Sequence, residues 1–177
     1  MPERPLVVGL VSISDRAAAG VYVDQGLPGL TAWFDAALAT PYRFETRLIA
    51  DEQPVIERTL VDLVDTIGCD LVLTTGGTGL SPRDVTPEAT RATLDREAPG
   101  IAERLRAVTG ADFPRAALSR GVAGVRGRTL VVNLPGSTSG VRDMLAAFEP
   151  IARHAVDIVR GDVGSHDAEQ ARAGAVR

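Results

Sequence analysis

The stretch LVLTTGGTGLSPRDVTPEAT, residues 71–90, decides the fold class of this 177-residue chain. Its apolar start, LVLTT, is typical of a short strand buried on both faces of a parallel sheet. The glycine turn GGTG follows, and Thr86 with Pro87 and Glu88 predicts a capped helix with proline at its first position. A buried strand that leads through a glycine turn into a helix is the unit from which α/β sheets are built.

The same order of strand, loop and helix occurs on both sides of this stretch. Before it, PLVVGLVSIS and YRFETRLIA each predict a strand, and each is followed by a segment with apolar residues at helical spacing. After it, the helix from Thr86 is expected to run to about Ala98, and residues 99–109 to form another helix. TLVVNLPGS predicts a fourth strand and Gly140 to Val159 a long helix, whereas RAALSRGVAGVRG is too rich in glycine and arginine to assign.

These elements predict an α/β fold of three layers, a mainly parallel sheet with helices on both faces. A chain of 177 residues with 45% hydrophobic composition buries a proper core, and residues 1–162 are expected to form a single domain. Residues 163–177 contain few large apolar side chains and are expected to form a flexible tail.

Composition and charge exclude several classes of protein. The net charge of −4 leaves no general cationic field of the kind that nonspecific nucleic-acid binding needs. The single cysteine, Cys69, excludes an internal disulfide and a multi-cysteine metal site. The sequence shows neither a signal peptide nor an apolar span of ~20 residues. We therefore predict a cytoplasmic protein that binds neither nucleic acid nor a membrane.

Polar or glycine-rich loops follow all four predicted strands. In an open parallel sheet such loops converge on one rim, where ligands bind. The GGTG turn allows backbone amides to approach phosphate oxygens closely, since no Cβ blocks them. It lacks the spacing of a dinucleotide fingerprint and the Lys-Ser/Thr of a Walker loop, and glycines after a strand are more often simple turn residues, so by itself it is a weak signal.

The residues after the glycine turn sharpen the prediction of an anion site. Arg83 can neutralise an anion, whereas Asp84 beside a phosphate requires a divalent cation between them. The alternatives are a local ion pair between Arg83 and Asp84, or a carboxylate that only caps the helix at Thr86. Asp51 ends the second strand and could share the cation, or could only stabilise the N-terminus of its own helix.

The remaining polar loops are open to two interpretations each. Ser14 and Asp15 are turn formers as readily as ligand contacts. Ser119 and Arg120 suit a phosphate, although an arginine beside a glycine is commonly solvated. Ser137 in NLPGSTSG either belongs to a second anion site or only caps the long helix.

Taken together and in order, four segments resemble the molybdopterin adenylyltransferases of molybdenum-cofactor biosynthesis, which are similar to the gephyrin G domain. The segments are VGLVSISDRAAAGVYVDQG, RLIADEQ, TTGGTGLSPRDVTPEAT and LSRGVAGVRGRTLVVNLPG. The resemblance implies an ATP-binding nucleotidyltransferase that transfers AMP from Mg-ATP to the terminal phosphate of molybdopterin and releases pyrophosphate. It also implies Mg²⁺ as cofactor, a homotrimer, and a molybdenum-insertion protein as partner.

The resemblance assigns roles to residues of this chain. Asp51 and Asp84 would be catalytic and would hold Mg²⁺. The phosphate- and nucleotide-binding residues would be Ser14, Asp15, Gly76, Gly77, Thr78 and Gly79. The pterin-binding residues would be Ser119, Arg120, Asn133, Pro135, Gly136 and Ser137. Because the turn STSGVRDML resembles that of MoaB-like paralogues, the alternative is a MoaB-like pterin-binding or assembly protein that requires no adenylylation.

Overall fold

The first strand, β1 (Leu6–Ile13), is buried along nearly its whole length, as its uninterrupted apolar run predicts. It lies inside a six-stranded sheet in the computed structural model of the protein, which describes residues 4–21, 23–37 and 41–161. The other strands are β2 (Tyr42–Ile49), β3 (Leu71–Thr75), β4 (Arg96–Glu97), β5 (Ala123–Arg126) and β6 (Thr129–Leu134). Their order across the sheet is β2-β1-β3-β6-β5-β4.

The four strands predicted from the sequence form the parallel part of this sheet. β2, β1, β3 and β6 pair in parallel, whereas β5 and β4 continue the sheet antiparallel beyond β6. The prediction of a mainly parallel sheet is confirmed. The two short antiparallel strands at the edge, β5 and β4, were not predicted.

Helices cover both faces of the sheet. They are α1 (Asp15–Ala18), α2 (Gly26–Ala37), α3 (Gln53–Val61) with a π-helical continuation (Asp62–Thr66), α4 (Thr86–Thr93), α5 (Pro99–Asp112), a 3-10 helix (Pro114–Leu118) and α6 (Thr138–Arg160). Successive side chains of a strand point to opposite faces, so each central strand contributes to two cores. Leu10 packs in one core with Phe34 of α2 and Phe148 of α6. Val11 packs in the other with Ile56 of α3. The three predicted layers are therefore present.

α4 ends at Thr93, so the prediction that this helix runs to about Ala98 is wrong. The backbone after the helix is hydrogen-bonded to β5 instead. The N–H of Asp95 donates to the carbonyl of Val125 at 2.9 Å, and the N–H of Ala98 donates to that of Ala123 at 2.8 Å. Each backbone N–H is a single donor, so one used between strands does not extend a helix.

The segment RAALSRGVAGVRG, residues 115–127, was not assigned from the sequence. It contains most of the 3-10 helix and all of β5. β5 turns tightly into β6 at Gly127, whose φ of +55° lies in the left-handed region that favours glycine. The tail predicted at residues 163–177 lies outside the described residues. Within the described ranges, none of the helices combines the length and apolar character that crossing a membrane requires.

Candidate active site

The candidate site is the rim where the four parallel strands end. Ile13 and Ile49, the last residues of β1 and β2, are paired in register. Thr75 and Leu134, the last residues of β3 and β6, are paired as well. The polar loops that were predicted to converge on one edge of the sheet do so.

Asp15 and Asp51 join the loops after β1 and β2. The N–H of Asp15 donates to Oδ2 of Asp51 at 2.7 Å, and the N–H of Asp51 donates to Oδ1 of Asp15 at 2.9 Å. α3 begins at Gln53, with Glu52 as its N-cap residue. The carboxylate of Asp51 thus reaches the neighbouring loop, which goes beyond the alternative of stabilising its own helix.

Arg83 pairs with Asp15 and not with Asp84. Its Nη2 and Nε lie 2.5 and 3.1 Å from Oδ2 of Asp15. The hydrogen bond from this guanidinium holds the pKa of the Asp15 carboxyl below its ordinary value. Because the charge of Arg83 is already paired, the expectation that it neutralises a bound anion by itself needs revision.

Asp84 stabilises a turn within the loop after β3. Its Oδ2 accepts a hydrogen bond from the N–H of Ser81 at 2.8 Å, and its own N–H donates to the carbonyl of Ser81 at 2.9 Å. The N-cap residue of α4 is Val85. Both alternatives for Asp84, an ion pair with Arg83 and a cap on α4, are therefore wrong.

The carboxyl of Asp51 lies in an environment that disfavours its negative charge. Burial raises its pKa above the ordinary value, the hydrogen bond from Asp15 opposes that shift, and the charges of Asp15 and Asp84 raise it further. The positive charge of Arg83 lowers the pKa of Asp51, but this is the smallest of the effects on that pKa. The ionised form of Asp51 would be stabilised by a cation placed between Asp51 and Asp84.

The glycine loop runs between these two carboxylates. A Cβ at Gly77 would lie 3.1 Å from Oδ1 of Asp51, and a Cβ at Gly79 would lie 2.9 Å from Oδ2 of Asp84. Gly76 and Gly77 both have positive φ, at +97° and +64°. The N–H of Gly76 donates to the carbonyl of Leu134 at 3.3 Å, whereas Gly77, Thr78 and Gly79 line a groove at the rim, so an anion would meet the loop at these three residues.

Arg120 holds the glycine loop in place. Its backbone N–H donates to the carbonyl of Thr78 at 2.8 Å. Its guanidinium donates to the carbonyls of Gly79 at 2.7 Å and Asp84 at 2.6 Å, and it forms an ion pair with Glu88. Arg120 is therefore neither free for a phosphate nor simply solvated, and these contacts assign it a positioning role.

Asn133 lies beneath the rim, with only 3% of its surface exposed. Its Nδ2 donates to Oγ1 of Thr74 and of Thr90, both at 3.0 Å. Its Oδ1 accepts a hydrogen bond from the N–H of Val122 at 3.2 Å. The amide group of Asn133 thus connects β3, α4 and the loop before β5.

Ser14 and Ser137 each cap a helix. The Oγ of Ser14 accepts from the N–H of Ala17 at 3.3 Å, and the Oγ of Ser137 accepts from the N–H of Gly140 at 3.2 Å. The capping alternative is therefore correct for Ser137, and Ser14, considered as a turn former, is the N-cap residue of α1. Capping does not exclude ligand contact, because Ser137 also lies on the wall of a groove at the rim.

This groove has a volume of about 310 Å³ and lies between the glycine loop, the end of α5 and the start of α6. Eight of the predicted site residues line it. They are Gly77, Thr78, Gly79, Asp84, Ser119, Pro135, Gly136 and Ser137. Asp15 and Asp51 are not among the residues that line the groove, although the carboxylate of Asp51 lies beside Gly77.

Sequence reasoning missed one wall of the groove, which consists of Thr109, Phe113, Arg115, Leu118 and Met144. The guanidinium of Arg115 lies over the ring of Phe113, 5.1 Å from its centroid. The sequence offered little signal for these residues, because two of them lie in the unassigned segment and Met144 belongs to the apolar stripe of α6.

The acidic pair at the rim fits a metal that arrives with a nucleotide. Within the part of the chain that the structure describes, no three His, Cys, Asp or Glu side chains are grouped to hold a metal ion. Mg²⁺ typically uses one or two protein carboxylates and takes its other ligands from phosphates and water. Asp51 beside Gly77 and Asp84 beside Gly79 match that donor set.

Comparison with known proteins identifies the family. A family model described as "Probable molybdopterin binding domain" matches residues 9–154. The chain belongs to this family. A family member from Haemophilus influenzae named molybdopterin adenylyltransferase is 57% identical over 140 residues, which cover 79% of this chain and 71% of that protein.

Solved structures of the molybdopterin-binding domain family have the same fold. The structure of the molybdopterin biosynthesis enzyme MoaB from Thermus thermophilus is similar with a TM-score of 0.82 and 46% identity, over 88% of this chain and 97% of that chain. The molybdopterin biosynthesis Mog protein from Mycobacterium ulcerans is similar with a TM-score of 0.79 and 41% identity, over 87% and 99%. The resemblance drawn from the sequence motifs is confirmed at the level of the family.

Proposed function

We propose that this protein is a molybdopterin adenylyltransferase that transfers AMP from Mg-ATP to the terminal phosphate of molybdopterin. An oxygen of the pterin phosphate attacks the α-phosphorus of ATP, the bond from that phosphorus to the β-phosphate oxygen breaks, and pyrophosphate leaves. The observation that carries the proposal is the glycine loop with Asp51 on one side and Asp84 on the other. The name of the Haemophilus influenzae relative supports it.

The chain contributes charge and position, because transfer of this kind needs no covalent intermediate with the protein. Asp51 and Asp84 would hold Mg²⁺, which would supply positive charge to neutralise the phosphates. The backbone of Gly76 to Gly79 cradles the phosphates, and Ser14 and Asp15 line the end of the site beyond Asp51. A metal held there would offset the negative charge that disfavours ionisation of Asp51.

The groove receives the pterin and its phosphate. Ser119, Pro135, Gly136 and Ser137 line it on the side of the β6 loop. Arg115 is an exposed cation on the opposite wall and suits an anionic group of the substrate. Asn133 and Arg120 act indirectly, the former under the rim and the latter through the glycine loop.

The resemblance to the adenylyltransferases supports the remaining parts of the proposal. Residues 1–162 act as one domain, and the protein works in the cytoplasm as a homotrimer. A molybdenum-insertion protein receives its product.

A second candidate function is a MoaB-like pterin-binding or assembly protein without adenylylation. The fold similarity to MoaB from Thermus thermophilus favours it. The paired carboxylates favour the enzyme, because binding of a finished pterin gives no reason to place two acids beside a phosphate loop.

Product analysis separates the two functions. Purified protein is incubated with molybdopterin, ATP and Mg²⁺, and products are identified by mass spectrometry beside a sample with EDTA. We expect adenylylated molybdopterin and pyrophosphate in equal amounts, no ADP, and no product with EDTA. Pterin binding without adenylylation in the presence of Mg²⁺ or Mn²⁺ would instead establish the MoaB-like function.

A further inference from the structure

The hydroxyl of Thr109 is a buried polar group without a partner. Only 7% of the surface of Thr109 is exposed. Among the described residues, its Oγ1 is the one buried side-chain nitrogen or oxygen that makes no hydrogen bond. Buried polar groups are nearly always hydrogen-bonded, and an unpaired one destabilises the folded state. A group kept in this condition at the wall of a groove suggests a partner supplied by a ligand.

The surroundings of Thr109 indicate the chemistry of that ligand. Thr109 lies on α5 in the groove wall, near the aromatic ring of Phe113 and the thioether of Met144 on α6. The guanidinium of Arg115 lies over the Phe113 ring, and the glycine loop and Asp84 line the same groove. The groove thus combines an aromatic and apolar surface with groups suited to phosphate, as is typical for a ligand with a flat ring and an anionic tail.

We propose that Thr109 is a specificity-determining residue whose hydroxyl forms a hydrogen bond with the polar edge of a nitrogen heterocycle bound at the α5 end of the groove. The inference rests on the proposed function, which places the pterin ring of molybdopterin in this groove; the adenine of ATP is the ring against which the test compares it. A hydroxyl is both donor and acceptor and can bond to either kind of edge atom. Threonine in a helix populates two χ1 rotamers, so its hydroxyl can change direction by a rotation about χ1 when a ligand binds.

A site that pairs a hydroxyl with a substrate gains selectivity against rings that lack the matching group. When a ring without the matching group binds, the buried hydroxyl stays unpaired, and binding is weaker. Thr109 therefore contributes to the choice of substrate, while Asp51 and Asp84 act at the phosphates.

The variants Thr109→Val and Thr109→Ser test this role. Valine keeps the shape of threonine and removes the hydroxyl, whereas serine keeps the hydroxyl. We measure Tm without ligand, the Kd of α,β-methylene-ATP with Mg²⁺, and the Kd of molybdopterin. For Thr109→Val we expect an equal or higher Tm and roughly tenfold weaker binding of molybdopterin, the loss of one hydrogen bond. Thr109→Ser is expected to bind both ligands as the wild type does.

The two dissociation constants tell which ring contacts Thr109, and steady-state kinetics provide a second readout. Loss of a contact made equally in the ground and transition states raises KM for that substrate and leaves kcat unchanged. Wild-type Kd values for both ligands in Thr109→Val would overturn the inference, as would equal losses in Thr109→Val and Thr109→Ser. If Thr109→Val fails to fold, Thr109→Ala provides the same comparison.

Failure of this inference and failure of the proposed function give different results. If wild type forms adenylylated molybdopterin and Thr109→Val matches it in KM and in both Kd values, the inference is wrong and the function stands. If wild type binds molybdopterin without adenylylation and Thr109→Val binds it tenfold more weakly, the function is wrong and the inference stands.

Discussion

Replacing Asp51 by asparagine is expected to reduce adenylyl transfer by roughly a hundredfold to a thousandfold, the usual effect of removing one charge-stabilising group from an active site. The same change is expected to leave Tm at neutral pH equal to that of wild type or higher. Asparagine retains an oxygen that accepts the hydrogen bond from the N–H of Asp15. It removes the negative charge that burial and the neighbouring acids disfavour.

The effect on stability depends on pH in a defined direction. The pKa of Asp51 is raised in the folded state, so the stability that this group contributes is fully present below its unfolded pKa and is lost as pH rises through its folded pKa. Asparagine resembles the protonated acid. The Tm advantage of Asp51→Asn should therefore be absent at acidic pH and should appear as pH rises towards 7.

Pyrophosphate release and Tm measured between about pH 4 and pH 8 check both parts of this prediction. Asp84→Asn should lose activity to the same degree, because in the proposed function the two acids would share one cation. Glu103→Gln removes an exposed carboxylate on α5, away from the glycine loop, and serves as the control for charge loss alone. Turnover of Asp51→Asn within tenfold of wild type, or a Tm below wild type at pH 7, would contradict the role assigned to Asp51.

Gly77→Ala is expected to destabilise the protein by about 3 kcal/mol, or roughly 6–12 °C in Tm. Alanine at a φ of +64° is strained, and its Cβ would lie 2.2 Å from Oγ1 of Thr86. That hydroxyl is buried and donates to the carbonyl of Gly76 at 3.0 Å, so it moves only if this hydrogen bond breaks. We expect the Cβ also to displace the carboxylate of Asp51 and to lower turnover about a hundredfold.

Gly127→Ala is the matched control for this prediction. Gly127 also has a positive φ, +55°, but a Cβ there meets nothing within 4 Å. Its replacement should therefore cost only the backbone strain, about 1–2 kcal/mol, and should leave turnover unchanged. Equal losses of stability and activity in Gly77→Ala and Gly127→Ala would show that the close contacts of Gly77 with Thr86 and Asp51 do not matter.

The sequence predicted those parts of the fold that local patterns determine. The buried strands β1, β3 and β6 are continuous apolar runs, and parallel order then brings Asp51 and the GGTG loop to one rim. β4 and β5 were not predicted, since they have only two and four residues and depend on pairing with each other and with β6. A strand that short has no periodicity of its own to read.

The residues of the candidate site could be predicted from the sequence, but the hydrogen bonds and ion pairs among them could not. The motif resemblance placed Asp51 and Asp84 together, but the partner of Arg83 is Asp15, 68 positions away in sequence. Thr109 carried no signal at all, because its significance lies in a missing hydrogen bond that only a packed structure reveals. Contacts between residues distant in sequence depend on packing geometry, which a single sequence does not specify.

The most direct test of the site is a crystal structure of the protein with Mg²⁺ and α,β-methylene-ATP, which cannot release pyrophosphate. We expect the phosphates against the backbone of Gly76 to Gly79 and the metal between the carboxylates of Asp51 and Asp84. Phosphates bound elsewhere, such as in the arginine-lined pocket at Arg91 and Arg106 behind the Ser119 loop, would contradict that placement. A metal that contacts neither Asp51 nor Asp84 would contradict it equally.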